Sequence, residues 1–384
     1  MTSRAAEAAP FYSYEHRPAV LRGQQVDFWL LGAVLGLLGL GVVMVFDASY
    51  FLGAVRFGDA YALIVRQAIF ICMSATLAAT LARVDPLLLK RLAYPALFAV
   101  LALLVLVLIP GIGQVRGGAR RWISLGLFAF EPSELMKPVF VLYLARSLSA
   151  KQDRMHSFSF GILPHIVMML VPILLLLLEP DFGASAVITM VTLAMLFAAG
   201  ARLKHLAMLG LAVLPPAVAL VWHSPYRLER VTAFLDPWRD PLGNGFQLVQ
   251  SFLAFGSGGV LGAGLGNGKQ KLFYLPEGHT DFIFALIGEE LGLIGCVAVL
   301  VCFGVLAMRG FRVATRSRDR FTGLLAFGLT FLFVGQALLN IGVALGMLPT
   351  KGMPLPLVSY GGSAMMAAGL SVGVLLALSR EVRP

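Results

Sequence analysis

This 384-residue sequence has little charge. Only 13% of its residues are Asp, Glu, Lys or Arg, against 59% that are hydrophobic. That balance excludes a soluble globular chain, in which about a quarter of residues are charged. Cysteine is sparser still. Cys72, Cys296 and Cys302 all fall inside apolar runs at no metal-ligand spacing, which excludes a disulfide framework and a cysteine zinc site. Residues 1–25 are polar and lack an apolar core, so no cleavable signal peptide is expected and the first apolar run serves as an uncleaved anchor. There is no solenoid-type repeat and no low-complexity linker. Acids are outnumbered 20 to 30 by bases, a net charge of +10. Such an excess can mark a nucleic-acid binder, but its location decides the matter.

What the chain has instead is repeated apolar runs near the ~20 residues needed to cross a bilayer. They fall at roughly 26–46, 61–82, 92–109, 132–148, 161–178, 183–201, 206–222, 281–308, 322–346 and 359–378. The expected fold is all-α: a polytopic membrane protein with about ten transmembrane helices. A short tail, 1–25, precedes one transmembrane domain, 26–384, with a single long extracytoplasmic loop, 223–280, between the seventh and eighth spans. Lysine and arginine collect in cytoplasmic segments of membrane proteins. With both termini cytoplasmic, 18 of the 30 basic residues lie on that side, among them Arg83, Lys90, Arg146, Lys151, Arg309 and Arg316. The surplus charge is therefore topogenic, and nucleic acid is not the partner.

Two outer loops carry positive charge that topology does not ask for. Residues 110–131, "PGIGQVRGGARRWISLGLFAFE", hold Arg116, Arg120, Arg121 and Trp122. The long loop holds Arg227, Arg230, Arg239, Lys269 and Lys271. Each could snorkel to lipid headgroups, but clustered with Trp122 and glycine turns they point to an anionic ligand at the outer surface. The stretch "GSGGVLGAGLGNG" (256–268) with Lys269 looks like a phosphate loop, yet Ala263 and Gln270 break the Walker pattern. A glycine-rich loop able to approach a ligand closely remains.

Carboxylates inside apolar text are the other exception. In "FEPSELMKP" (130–138), Pro132 suits a first helical position, and Glu134 and Lys137 are i,i+3 neighbours. The pair reads either as a structural ion pair or as one wall of a polar cleft. "EPDFG" (179–183) reads as a tight acidic hairpin. "YLPEGHTDFIFALIGEELG" (274–292) places Asp281 where the long loop re-enters the membrane, with Glu289 and Glu290 farther along. Phe282 and Phe284 can raise the Asp281 pKa towards that of a useful base; a helix N-cap is the rival role. His279 has no second His or Cys at ligand spacing and reads as a hydrogen-bonding neighbour. Of the two glutamates, only Glu289 falls on a face that could share a cavity with Asp281, and both are expected to serve packing and hydration.

Together "GGARRWISLG" (117–126), "EPSELMK" (131–137), "EPDFG" (179–183), "DPWRDPLGNGFQLVQS" (236–251), "KLFYLPEGHTDFIFALIGEELG" (271–292) and "LPTKGMPLPLVSYGGSA" (348–364) resemble the SEDS family of polytopic peptidoglycan polymerases. The resemblance covers nearly the whole chain from about residue 28. "KLFYLPE" and "LPTKG" are similar to the division member of the family more than to the elongation member; sporulation members share this text. Three positions depart: the family more often has Gln at Glu131, Asn at Gly118 and Ser at Ala364.

The resemblance implies glycosyl transfer on lipid II, the undecaprenyl-pyrophosphoryl disaccharide-pentapeptide, at the bacterial inner membrane and the division septum. It implies Asp281 as the essential residue, Glu134 and Lys137 on the same cavity, and a class B penicillin-binding transpeptidase and other divisome membrane proteins as partners. The candidate substrate contacts are then Arg116, Arg120, Arg121, Trp122, Glu134, Lys137, Lys269, Lys271, His279 and Thr280. No metal ligand set is recognisable; a divalent cation, magnesium or manganese, is compatible with a diphosphate substrate. Three rivals stay open: a transporter that flips a lipid-linked precursor, motivated by the intramembrane charges, a catalytically silent divisome scaffold, and the elongation-type polymerase of the same family.

Overall fold

Only a helix satisfies every backbone N–H and C=O within its own segment when water is absent, and the apolar runs fold accordingly. The computed structural model describes residues 26–380 apart from 117, 125, 127, 224 and 351, so the 1–25 tail lies outside the described residues. In chain order the helices are α1 Phe28–Phe57, α2 Ala62–Leu81, α3 Pro86–Leu108, α4 Pro132–Ala150, α5 Leu163–Leu178, α6 Phe182–Ala198, α7 Leu203–Trp222, α8 Pro225–Leu235, α9 Phe246–Gly258, α10 Ile283–Glu290, α11 Gly292–Arg316, α12 Arg320–Ala344 and α13 Gly362–Ser379. A small antiparallel sheet, β1 Gly113–Arg116, β2 Ala119–Ser124 and β3 Ala129–Phe130, sits between α3 and α4. Seven helices (α1, α2, α3, α5 with its preceding turn, α11, α12 and α13) are long and apolar enough to cross a membrane. This is a multi-pass membrane protein. The other three expected spans are helical too, as α4, α6 and α7; α6 is 17 residues long and α4 carries Glu134 and Lys137.

The few acids at helix starts act as caps. Asp27 accepts from the amides of Trp29 and Leu30, Asp85 from Leu87, Asp181 from Ala184 and Asp319 from Phe321 and Thr322. Each such cap satisfies an otherwise orphan N–H for about 1 kcal/mol. Asp27 also pairs with Arg309 at 2.6 Å, tying α1 to α11. Within the bundle, small residues let backbones approach. A Cβ added to Gly373 of α13 would meet the Ala78 carbonyl of α2 at 2.7 Å, and one added to Gly369 would meet the Ser74 carbonyl at 2.6 Å. α12, α13 and α4 are almost wholly buried, whereas α1, α2, α5 and α11 present Leu, Val, Ile and Phe outwards, as lipid-facing helices do.

Two expectations need correction. α1 does not stop near residue 46; it runs to Phe57, where Gly58 at φ +70° caps it. Nor is 281–308 one span. α10 ends at Glu290, Gly292 turns the chain at φ +65°, and α11 begins there. The "loop" 223–280 is likewise built: α8 packs on α7, and α9 with the glycine segment after it packs into that break. Ala263 and Gly264 donate to the carbonyls of Glu289 and Glu290, and Leu293 donates back to Gly259.

That break explains the two glutamates. Glu289 does not share a cavity with Asp281. Its carboxylate accepts the amides of Lys269 at 2.8 Å and Gln270 at 3.2 Å, and that of Glu290 accepts Gly266 at 3.0 Å and Gly268 at 3.2 Å. The glycine-rich segment is thus an anion-binding loop whose anions are the protein's own. Lys271 is buried and reaches Glu290 at 2.8 Å and Asp47 on α1 at 2.6 Å. Its ammonium is engaged in the fold and unavailable to a ligand, contrary to the sequence expectation. Removing one partner of a buried pair leaves an uncompensated charge and costs about 3–5 kcal/mol. Glu290→Ala is expected to lower the thermal unfolding temperature in detergent well beyond any effect of an exposed change such as Arg318→Ala.

Candidate active site

The turn carrying Asp281 is organised by Glu277. Its carbonyl accepts the amides of Thr280 and Asp281 at 3.1 and 3.0 Å, and its carboxylate accepts the Thr280 hydroxyl at 3.0 Å. Glu277 sits at φ +55°, a conformation costing a non-glycine residue of order 1–3 kcal/mol and one that needs surrounding structure to hold it. That structure is a strap, residues 353–361. Asn340 on α12 donates to the Asp281 carbonyl at 2.8 Å and to the Met353 carbonyl at 2.6 Å. The Ser359 hydroxyl donates to the Thr280 carbonyl, and the Tyr360 amide donates to the His279 carbonyl at 2.9 Å. Gln67 on α2 closes the strap, donating to Ser359 O and accepting from Gly361 N. Asp281 therefore has its backbone fixed from α2, α12 and the strap at once.

The side chain is left free for chemistry. Asp281 is not the cap of α10: Phe282 holds that position and no side chain caps the helix. Gly352, from "LPTKG", makes room for it, since a Cβ there would stand 3.0 Å from Asp281 Oδ2. Burial pushes the Asp281 carboxyl up to about 7, helped by Glu277 and opposed by Arg230 and Arg121. Loss of hydration disfavours the charged form, and a group titrating near neutrality is suited to exchange protons at physiological pH.

The remaining predicted residues divide. Arg121, on β2, faces the site; its guanidinium donates to the Glu179 carbonyl at 3.0 Å and to that of Pro180, which holds the acidic hairpin beside Asp281. Arg230 on α8 joins it, donating to Thr350 O at 3.3 Å. Arg120 instead caps the end of α3 through Leu108 O at 3.2 Å. Arg116 lies on β1 with its side chain outside the described residues, and Trp122 is half-buried on β2. Glu134 and Lys137 pair at 2.7 Å, Lys137 also donates to Gln336 at 3.1 Å, and all three line a cavity between α4, α12 and α13. The structural ion pair is thus present, while the cavity it lines is mostly apolar and Asp281 is not among its lining residues. Thr280 turns to Glu277, His279 packs against the Tyr360 ring at 5.6 Å, and the Lys269 side chain is exposed on the glycine segment. In "EPDFG", Asp181 caps α6 while Glu179 is fully buried rather than solvated, its carboxyl pushed up to about 8 by burial and by Asp181. Sequence reasoning missed Asn340, Gln336 and Gln67, though amides inside apolar helices were a legible signal. Among the described residues no three His, Cys, Asp or Glu side chains come together as metal ligands.

The family model FtsW/RodA/SpoVE, described as a cell cycle protein, matches residues 28–384. The chain belongs to this family. It is 46% identical to a probable peptidoglycan glycosyltransferase FtsW of Trichlorobacter lovleyi over 94% of each chain. It is 41% identical to stage V sporulation protein E of Bacillus subtilis, over 93% of this chain and 98% of that one. Among solved structures it resembles a chain of a peptidoglycan synthase complex that coordinates polymerization and crosslinking, with TM-score 0.76 and 32% identity over 93% and 98% of the two chains. It also resembles Thermus thermophilus RodA, with TM-score 0.69 and 29% identity over 94% and 98%.

Two of the three departures from the FtsW/RodA/SpoVE pattern now have physical accounts. Gly118 lies at φ +79° in the β1–β2 turn, where glycine and asparagine are the residues that tolerate a left-handed backbone. Glu131, at the start of α4, has its carboxyl pushed up to about 8 by burial, Glu134 and Asp181. At neutral pH it is mostly uncharged, and so resembles the glutamine it replaces. Ala364 lines the cavity beside Lys137 without adding a polar group.

Because the folded Glu131 holds its proton to higher pH than an unfolded one, its stabilising state is complete below about 4.5 and is lost as pH rises towards about 8. Glu131→Gln should therefore match the parent near pH 5 and unfold at a higher temperature at pH 8, as measured by thermal melts across that range. Gly352→Ala should displace the Asp281 carboxylate while sparing the fold. A misplacement near 1 Å lowers turnover by about 10²-fold, to be read as a fall in kcat with an unchanged melting temperature.

Proposed function

We propose that this protein is a peptidoglycan glycosyltransferase that polymerises lipid II during septal wall synthesis, with Asp281 as general base. The observation that carries this reading is a carboxyl group recessed, brought near neutral pKa, fixed through its backbone, and flanked by Arg121 and Arg230. The Lys/Arg bias of the sequence supports cytoplasmic termini, and on that topology this site opens on the outer face of the inner membrane, where a lipid-anchored sugar meets water. Asp281 accepts the proton of the acceptor sugar hydroxyl as that oxygen bonds to the anomeric carbon. The bond from that carbon to the diphosphate breaks, and the departing anion is stabilised by guanidinium groups. A positioned base contributes roughly 10²- to 10⁴-fold. A divalent cation, magnesium or manganese, would arrive on the diphosphate rather than on a protein ligand set. A class B penicillin-binding protein is the partner that crosslinks the product, alongside other divisome membrane proteins.

The transporter reading loses its motive. Glu289 and Glu290 hold backbone amides and a buried lysine, and Glu134 holds Lys137, so none of these four lines a charged path across the bundle. Asp281→Asn should reduce polymerisation of purified lipid II by about 10²–10⁴-fold with unchanged thermal stability. In the parent, kcat/KM should rise with pH through about 7, as Asp281 loses its proton, and then level off. Polymer formation by Asp281→Asn at the parental rate, or translocation of labelled lipid II by vesicles that make no polymer, would remove the proposal.

A further inference from the structure

Arg121 and Arg230 act on Asp281 itself, and a second pair of arginines, which the chemistry so far does not use, lies near His279 and Tyr360 on the other side of the turn. α1 is 30 residues long, about 45 Å at 1.5 Å per residue against a hydrocarbon core of about 30 Å. Asp27 is paired at one end, so the turns after Asp47 rise to headgroup level at the other. There Phe46, Tyr50, Phe51 and Tyr61 form an exposed ring cluster with centroids 5.5–6.2 Å apart. Arg56 ends α1, and Arg66, one turn into α2, lies 5.1 Å over the Phe57 ring. Both arginines are exposed, and among the described residues neither has a carboxylate within ion-pair distance.

Their position relative to the catalytic turn is fixed. Gln67, next to Arg66, is buried and bonded to both Ser359 and Gly361. Between those two residues stands Tyr360, whose ring packs on His279 and whose amide holds the His279 carbonyl. The Arg66 charge reaches the Tyr360 phenol, and the Arg56 charge reaches the His279 imidazole. Arg121 and Arg230 reach the Asp281 carboxylate itself.

We propose that Arg56 and Arg66, with His279 and Tyr360, form a second diphosphate site that holds the lipid-linked acceptor, while Arg121 and Arg230 hold the diphosphate that departs. This rests on the glycosyltransferase reading. Joining two lipid-linked sugars brings two diphosphates to one base, and their distances from it differ. The departing diphosphate is one bond from the anomeric carbon and must lie beside Asp281. The acceptor's reacting hydroxyl lies a whole disaccharide from its own diphosphate, which must therefore rest at a distance. The Arg56–Arg66 flank is separated from Asp281 by His279 and the strap, and the rings at the end of α1 offer apolar surface to the start of a lipid tail.

The two flanks differ in kinetics. The acceptor diphosphate keeps its charge through the reaction, so its contacts are uniform binding and set KM; the departing one gains charge in the transition state, so its contacts set kcat. Arg56→Ala/Arg66→Ala is expected to raise the KM for lipid II by about 10- to 100-fold with kcat within about threefold, whereas Arg121→Ala lowers kcat. Arg66→Lys should restore part of the loss and Arg318→Ala none, both flanks being read in neutral-lipid nanodiscs. An unchanged KM in the double variant, or a KM change that appears only in phosphatidylglycerol nanodiscs, would overturn the assignment, the latter because bulk headgroups are then the ligand. Titration with undecaprenyl diphosphate gives a reading independent of turnover. Two equivalents should bind the parent and one the double variant, and one equivalent on both overturns the site even if polymerisation is intact. Absence of polymer from the parent, with two equivalents still bound, counts against the enzymatic reading alone.

Discussion

Asn340 donates from the most enclosed part of the bundle to two backbone carbonyls at once, those of Asp281 and Met353. Neither carbonyl belongs to a helix, and at this depth an unpaired one costs several kcal/mol. The amide therefore resolves two problems with one side chain: it satisfies irregular backbone, and it fixes the separation between the catalytic turn and the strap. Ser359, Tyr360 and Gln67 extend the same register to α2. With the backbone held this way, the Asp281 side chain needs no hydrogen bond of its own to stay in place. It can remain a poor anion, and hence a competent base.

The molecule uses carboxylates in four distinct states, and environment alone separates them. At the helix starts Asp27, Asp85, Asp181 and Asp319 are ordinary caps. Glu289 and Glu290 are anions whose hydration is replaced by amides and a lysine, the arrangement that makes a buried charge tolerable. Glu134 is neutralised by Lys137. Asp281, Glu131 and Glu179 have burial without enough compensation, and their protons are retained towards neutral pH. Of these last three, among the described residues only Asp281 has a glycine leaving space against its carboxylate oxygen, which suits it to the proposed role of base.

Much of this was legible because it is local. Helix length, cap residues and Pro132 at the start of α4 follow from periodicity and composition, and Asp281 and Arg121 follow from charge where topology does not require it. What was not legible depends on distant partners. Lys271 reads as a free cation until Asp47, 224 residues away in sequence, is placed against it. The end of α10 reads as mid-span because "EELGLIG" is apolar on both sides; only the docking of the glycine segment shows that Gly292 turns the chain there. The amides Asn340 and Gln67 announced a role by their cost, but not which carbonyls they would meet. α1 runs past the expected end near 46, and Asp47 is a half-buried partner of Lys271 part-way along a helix that outruns the bilayer.

The arginines beside Asp281 have an effect beyond attraction. In the free protein Arg230 and Arg121 hold its pKa below what burial and Glu277 alone would set. A diphosphate bound to those guanidinium groups cancels their field at the carboxylate and adds negative charge of its own, and both changes favour the protonated form. On the proposed mechanism the base would therefore strengthen when the substrate arrives and be kept weaker while the site is empty. A stronger base in the empty site would stay protonated and would have to release that proton before each cycle, whereas a carboxyl at about 7 is about half ionised near neutrality. On the proposed mechanism, the placement that stabilises the leaving group also tunes the group that accepts the proton, and a single pair of cations couples the two halves of the displacement.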